Sequence, residues 1–419
     1  MSQDVVRQSP KTLKFHLLAK PTGAICNLDC TYCFFLSKEN LYPESKFRMS
    51  HSVLETYIQQ LLATHGDGEV TIAWQGGEPT LMGLDFFKIS LEYVEKYRKP
   101  GQQILHTIQT NGTRLTEEWA QFFAENKFLV GLSIDGPKEL HDAFRVYKSG
   151  KGSFETVMKG FEILKKHQVD VNILCCIHSA NVDYPLEIYK FFRDELQVKF
   201  IQFIPIVERT DEYKLSLANA GWSKKSGGDR PLYTQQGHFA TKRSVKAENY
   251  GRFMIAIFDE WIKKDVGNMY VQSFDVALAS WMGMPSLCVF SPTCGNALAL
   301  EHNGDLYSCD HYVEPDHLLG NIANQSMQEM VVSEKQLKFG QNKYNSLPSY
   351  CQQCEVKFAC YGGCPKDRFI NTPEGEPGLN YLCAGYKMFF KHINKPMQMM
   401  AKLLRLNRAP SEIMQMVIE

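Results

Sequence analysis

Cys26-Asn27-Leu28-Asp29-Cys30-Thr31-Tyr32-Cys33 places three thiols in one short stretch, about six residues past an apolar run at 15–19. A run of that kind reads as a strand, and the cysteines then occupy the loop that follows it. Three thiolates at Cys-x3-Cys-x2-Cys spacing suit three irons of a [4Fe–4S] cube. The fourth iron stays open, much as a catalytic zinc keeps one position for chemistry. Zinc is the alternative. It wants four ligands, and the nearest further donor, His16, sits inside the strand, where the pleat decides its direction.

Outward from this loop, short apolar runs recur at 70–74, 104–109, 129–134, 171–177 and 200–206. Between them lie segments with apolar residues at i, i+3 and i+4, at 52–62, 84–97, 116–126, 154–167 and 185–195; Thr116 followed by Glu117 and Glu118 reads as a helix start. Six strands alternating with helices predict an α/β fold on a parallel sheet, either doubly wound or a partial barrel, with the active site at the C-terminal strand ends. Residues 211–244 are polar and read as a loop, and 247–264 reads as a helix.

The chain has 419 residues, too many for one small domain, and 46 basic residues balance 46 acidic ones. That balance argues against a nucleic-acid footprint or an anionic membrane surface. No apolar run approaches the roughly 18 residues of a membrane span. Residues 1–14 lack the apolar core of a secretory signal, so a cytoplasmic location is expected, where disulfides are rare. The 13 cysteines are therefore read mainly as metal or cluster ligands. Cys175 and Cys176 are the exception: neighbours in a strand face opposite ways, so they read as buried structural thiols.

Eight cysteines fall late, as Cys288, Cys294, Cys309, then Cys351-x2-Cys354-x5-Cys360-x3-Cys364, then Cys383. They suffice for two four-thiolate sites, of iron or of zinc, and spacing alone does not pair them. Residues 297–309 read as a hairpin turning at Asn303-Gly304, which delivers Cys309 and, directly after it, Asp310. A carboxylate beside a cluster is placed to remove a proton as an electron leaves nearby.

Directly after the second strand comes Gln75-Gly76-Gly77-Glu78-Pro79, whose glycines permit a close approach to backbone. Together with the cysteine triad it resembles the radical S-adenosylmethionine enzymes. The stretches Trp74–Leu81, Gln109-Thr110-Asn111-Gly112, Gly131-Leu132-Ser133-Ile134-Asp135-Gly136-Pro137 and Tyr307-Ser308-Cys309-Asp310 further resemble the anaerobic sulfatase-maturating enzymes, from about residue 14 to 395.

The resemblance implies a partial (β/α)6 TIM-like barrel with a C-terminal cysteine-rich SPASM domain. In this chain that means a tail at 1–13, the barrel at 14–210, the polar linker at 211–244, a helical connection at 245–285, the SPASM auxiliary-cluster domain at 286–395 and a C-terminal helix or tail at 396–419. It implies three [4Fe–4S] clusters. Cys26, Cys30 and Cys33 would hold the one that binds S-adenosylmethionine. Cys288, Cys294, Cys309 and Cys364 would hold auxiliary cluster I, and Cys351, Cys354, Cys360 and Cys383 auxiliary cluster II. Tyr32, Gly76, Gly77, Glu78, Ser133, Arg145 and Val207 would meet S-adenosylmethionine.

The implied reaction is oxidation of an active-site Cys or Ser of a sulfatase to Cα-formylglycine. A 5′-deoxyadenosyl radical would take a Cβ hydrogen, Asp310 would accept the thiol or hydroxyl proton, and Gln75 would contact the peptide. The implied partners are a sulfatase segment of form Cys/Ser-x-Pro-x-Arg and a reduced flavodoxin or ferredoxin-type electron donor. Some members carry Tyr at the second position after the third cysteine, where this chain has Phe35. A SPASM-type maturase that makes thioether or other crosslinks on a different peptide is the alternative.

Overall fold

In the computed structural model, which describes residues 14–221 and 231–416, six parallel strands follow one another in sheet order: β1 (His16–Lys20), β2 (Gly68–Trp74), β3 (Gln102–Thr110), β4 (Phe128–Ser133), β5 (Asp170–Ile177) and β6 (Phe200–Pro205). Helices cover the crossovers, among them α1 (His51–Thr64), α2 (Leu84–Tyr97) and α3 (Glu117–Glu125). β1 and β6 do not pair, so the sheet stays open as a partial barrel. One face of each strand is apolar and buried, with Ile72, Trp74, Val130, Leu132, Ile173, Cys175 and Ile177 all out of solvent, while the opposite face mixes Thr71, Gly131, Ser133, Asn172 and Cys176. α1 begins where Ser50 Oγ accepts from the Val53 amide at 3.3 Å, and it buries Leu54, Tyr57, Ile58 and Leu61.

The sheet is wider than six strands. Tyr270–Val271 pairs with β6, and Ala297–Glu301 pairs in parallel with β1, placing Lys20 opposite Glu301. From Ala297–Glu301 the chain turns at Asn303-Gly304 into Asp305–Tyr307, then Leu318–Asn321, both antiparallel. The cysteine-rich half is thus joined to the barrel by main-chain hydrogen bonds along β1, which sets where Asp310 lands.

Residues 211–244 differ from the loop read above. Glu212–Ala220 is helical, and Arg209–Thr210 pairs with Phe239–Ala240; residues 222–230, like 1–13 and 417–419, lie outside the described set. The helix buries only Ala218, so it carries no apolar stripe to read. What anchors it is distant: Arg243 pairs with buried Glu208 at 3.0 Å and donates to the carbonyls of Ala218 and Asn219. No helix among the described residues is long and apolar enough to cross a membrane.

The helix Ala247–Lys264 crosses Cys383–His392 at two glycines. A Cβ on Gly385 would lie 2.0 Å from the Ala247 carbonyl oxygen, and one on Gly251 2.8 Å from Gly385 Cα. Gly385→Ala must therefore part the helices, a cost of about 1–3 kcal/mol. A thermal melt lowered by several degrees is the expected outcome.

Candidate active site and cysteine groups

The triad loop leaves the C-terminal end of β1 and is braced by the loop after β2. The Gly77 amide donates to Gly23 O at 2.8 Å and the Glu78 amide to Ile25 O at 2.9 Å. A Cβ on Gly77 would stand 2.0 Å from Ile25 O, so the close approach that glycine permits is made by the triad loop's own backbone. Gly76, at φ 119°, is similarly confined by Gly23 and Lys20.

Glu78 is fully buried and accepts from the Thr80 amide, Thr80 Oγ1, Thr110 Oγ1 and the Asn111 amide, at 3.1, 2.6, 2.7 and 2.8 Å. It fastens the second strand loop to the end of β3. Asn111, placed by that contact, turns its side-chain amide toward Cys26 Sγ at 3.6 Å, while the Leu28 amide approaches the same sulfur at 3.4 Å. Donors of this kind stabilise a thiolate and tune a cluster bound to it. The motif around Asn111 was visible in the sequence, but this role was not.

Across the strand ends, buried Asp135 organises a polar knot. Its carboxylate accepts from Tyr32 Oη at 2.6 Å and the Cys176 amide at 2.9 Å, and Arg145 Nε lies 2.9 Å away. Burial works to raise the Asp135 pKa, but Arg145 and His178 outweigh it and hold the carboxyl well below its usual range. Arg145 also stands over the Tyr32 ring and 3.7 Å from Cys176 Sγ. Cys175 is a buried structural thiol as expected, whereas Cys176 faces Arg145 and the site. Ser133 ends β4, and Val207 follows β6; both are buried.

Asp310 begins a short turn after Cys309 and makes an ion pair with Lys20, the last residue of β1. Lys20 is buried and its ammonium stands 3.8 Å from the Phe35 ring centroid. Burial favours the neutral acid at Asp310, but the Lys20 charge prevails and the pKa falls below the ordinary aspartate value. Nearby in sequence to the β2 end, Gln75 donates its amide to Ala19 O at 2.9 Å, and its buried Oε1 has no hydrogen-bond partner among the described residues. A buried acceptor left unmatched is a natural contact for a bound ligand.

None of the 13 cysteines is in a disulfide. Cys26, Cys30 and Cys33 act on one another electrostatically; burial first, then Glu78 and Cys33, pushes the Cys26 thiol up to about 12. Cys309 is acted on by Cys364 and Cys288, and Cys294 and Cys364 by Cys288. Cys360 is acted on by Cys383, Cys351 and Cys354, and those last two also act on Cys383. The chain therefore gathers Cys288, Cys294, Cys309 and Cys364 in one neighbourhood and Cys351, Cys354, Cys360 and Cys383 in another. The second four line one shared small pocket.

Burial pushes up the thiols of Cys26, Cys30, Cys309, Cys360 and Cys364, and a bound metal would hold them as thiolates. Among the described residues no three His, Cys, Asp or Glu side chains converge on a point suited to one ion. Thiolates are the ligands of iron–sulfur cubes, one on each iron. The residues present fit iron–sulfur clusters.

Residues 21–192 match the Radical SAM superfamily, and residues 288–355 match SPASM, an iron–sulfur cluster-binding domain. The serine-type anaerobic sulfatase-maturating enzyme of Bacteroides thetaiotaomicron is 45% identical over 97% of this chain and 96% of its own. The cysteine-type anaerobic sulfatase-maturating enzyme of Clostridium perfringens is 35% identical, over 90% and 95%. Among solved structures, native anSMEcpe with bound AdoMet and Cp18Cys peptide superposes with TM-score 0.79 at 33% identity, covering 93% of this chain and 99% of that one. With both halves matched and the likeness running nearly end to end, the protein belongs to the anaerobic sulfatase-maturating enzymes of the radical SAM superfamily.

Proposed function

We propose that the protein oxidises a Cys or Ser side chain, in a sulfatase segment of form Cys/Ser-x-Pro-x-Arg, to Cα-formylglycine. The observation that carries this reading is the Lys20–Asp310 pair. Pairing of Ala297–Glu301 with β1 brings a partly buried carboxylate to the strand end from which the triad loop departs. S-adenosylmethionine and three [4Fe–4S] clusters supply, when bound, the hydrogen-abstraction and one-electron chemistry at the substrate Cβ.

The chain's own residues do the rest. Cys26, Cys30 and Cys33 hold the N-terminal cluster, with Asn111 and the Leu28 amide directed at Cys26. Gly76, Gly77 and Glu78 shape the wall beside it, and Tyr32, Ser133, Arg145 and Val207 line the cofactor pocket, with Asp135 fixing Tyr32 and Arg145. Asp310 takes the thiol or hydroxyl proton. Lys20 keeps that carboxylate charged while it waits, and Gln75 Oε1 receives a peptide donor. The two late cysteine sets would hold the two auxiliary clusters. A reduced flavodoxin or ferredoxin-type protein supplies electrons to start.

Anaerobically reconstituted protein, given paired peptides differing only in Cys or Ser, tests this by mass spectrometry. Formylglycine formation removes about 18 Da from the Cys peptide and about 2 Da from the Ser peptide. A Cys peptide that loses about 2 Da and keeps its sulfur points instead to crosslinking. Unchanged mass of both peptides, with cofactor cleaved, would sink the sulfatase reading.

A further inference from the structure

Cys360 belongs to one late cysteine set and Cys364 to the other, so residues 361–363 are the shortest covalent link between the two. Tyr361, Gly362 and Gly363 all take left-handed backbone, with φ of 44°, 70° and 61°. Such a run is unfavourable, above all at a tyrosine, and needs to be held. Arg368 holds it. Its Nε donates to Gly362 O at 2.9 Å, and its Nη2 to Tyr361 O at 2.7 Å and Gly363 O at 3.3 Å. Its Nη1 reaches Lys343 O at 2.6 Å. Asn380 adds a second brace, its amide donating to Gly362 O and Cys364 O at 3.2 Å each.

Lys343 is itself buried, with its ammonium donating to the carbonyls of Cys288, Val289 and Ser291. Arg368 thus bonds the backbone of the residue whose own ammonium holds the backbone at Cys288, a member of the other set from Cys360. The hydrogen-bond acceptors of these two cations are carbonyl oxygens and, more weakly, the Ser346 hydroxyl; no carboxylate pairs with either among the described residues. The anionic groups that act on Arg368 are the thiols of Cys351, Cys364, Cys360 and Cys294, two from each set. A buried cation with no counter-ion is costly. A cube ligated by four thiolates is net negative and would be that counter-ion.

We propose that Arg368 is a positioning residue shared by both auxiliary sites. Its guanidinium fixes the 361–363 link, and its permanent charge raises the reduction potential of both auxiliary clusters together. Adding one electron makes a cluster more negative and breaks no bond, so a nearby fixed cation favours the reduced form. The proposal rests on the three-cluster reading above.

The test is potentiometric titration, followed by electron paramagnetic resonance, of anaerobically reconstituted full-length wild type, Arg368→Gln and Arg368→Lys. Gln can still donate to the link but carries no charge; Lys keeps the charge without the fork. In Arg368→Gln the reduced-to-oxidised ratio of both auxiliary clusters at a fixed potential should fall about tenfold, equal to about 59 mV for one electron. The N-terminal cluster should not move, and Arg368→Lys should restore most of the shift. Auxiliary potentials unchanged in Arg368→Gln, or all three clusters moving together, would overturn the proposal. Equal loss of auxiliary iron from both variants would also overturn it, reducing Arg368 to a structural clamp. Wild type binding only about four irons would instead defeat the three-cluster reading on which it stands.

Discussion

Asp310→Asn is expected to keep all three iron–sulfur sites and lose formylglycine formation by a factor of about 10²–10⁴. The amide is nearly isosteric, and its oxygen can still accept from Lys20, so the turn after Cys309 has no reason to shift. What the variant lacks is a group that can take a proton. The loss should also depend on the substrate. A thiol, with an ordinary pKa of about 8.5, supplies some thiolate unaided, whereas a serine hydroxyl supplies none. The Ser peptide should therefore lose more rate than the Cys peptide. Iron content and the melting midpoint control for the one structural side effect, a buried Lys20 ammonium deprived of its carboxylate. Turnover at the wild-type rate with iron intact would remove Asp310 as the base. Continued cleavage of S-adenosylmethionine without peptide oxidation is the pattern that a missing base predicts.

How much of this was legible depended on whether the signal was local. The six strands were readable because each buries one apolar face within a short run rich in Val, Ile, Leu and Phe, and the structure moves their bounds by only a few residues. The triad was readable because its three thiols lie in one loop. Lys20 was not. A lysine at a strand end ordinarily extends to solvent, and what buries this one is a strand that arrives about 280 residues later and carries Asp310 with it. Asp135 stood in a quoted motif without a role, since its partners Tyr32, Arg145 and Cys176 come from three separate segments. The helix Glu212–Ala220 escaped notice for the opposite reason: nothing local distinguishes it, as Tyr213 and Leu217 are exposed and its anchor is the Arg243–Glu208 pair. The eight late cysteines carried the right count but no pairing. Their two sets interleave along the chain, so proximity in space and proximity in sequence disagree, most plainly at Cys360 and Cys364.

Cys26→Ala is expected to remove about four of about twelve irons and reduce 5′-deoxyadenosine formation to background. The reasoning starts from geometry. Cys26 is the triad thiol on which Asn111 and the Leu28 amide converge, and Asn111 is itself held by Glu78 through its backbone. Removing the sulfur leaves those donors without an acceptor and leaves two thiols where three are needed. A cube missing one of three protein ligands exposes a second iron and is easily lost. The eight late cysteines are in separate neighbourhoods, so their clusters should survive, and Cys351→Ala should show the reverse pattern: fewer auxiliary irons with cofactor cleavage retained. That contrast assigns function to position. Bond cleavage in the cofactor would belong to the three-thiol site, whose ligands would leave one iron uncommitted, while the four-thiol sites would commit every iron and serve electron transfer. Persistent 5′-deoxyadenosine in Cys26→Ala would place the reactive iron elsewhere and undo the assignment from its first residue.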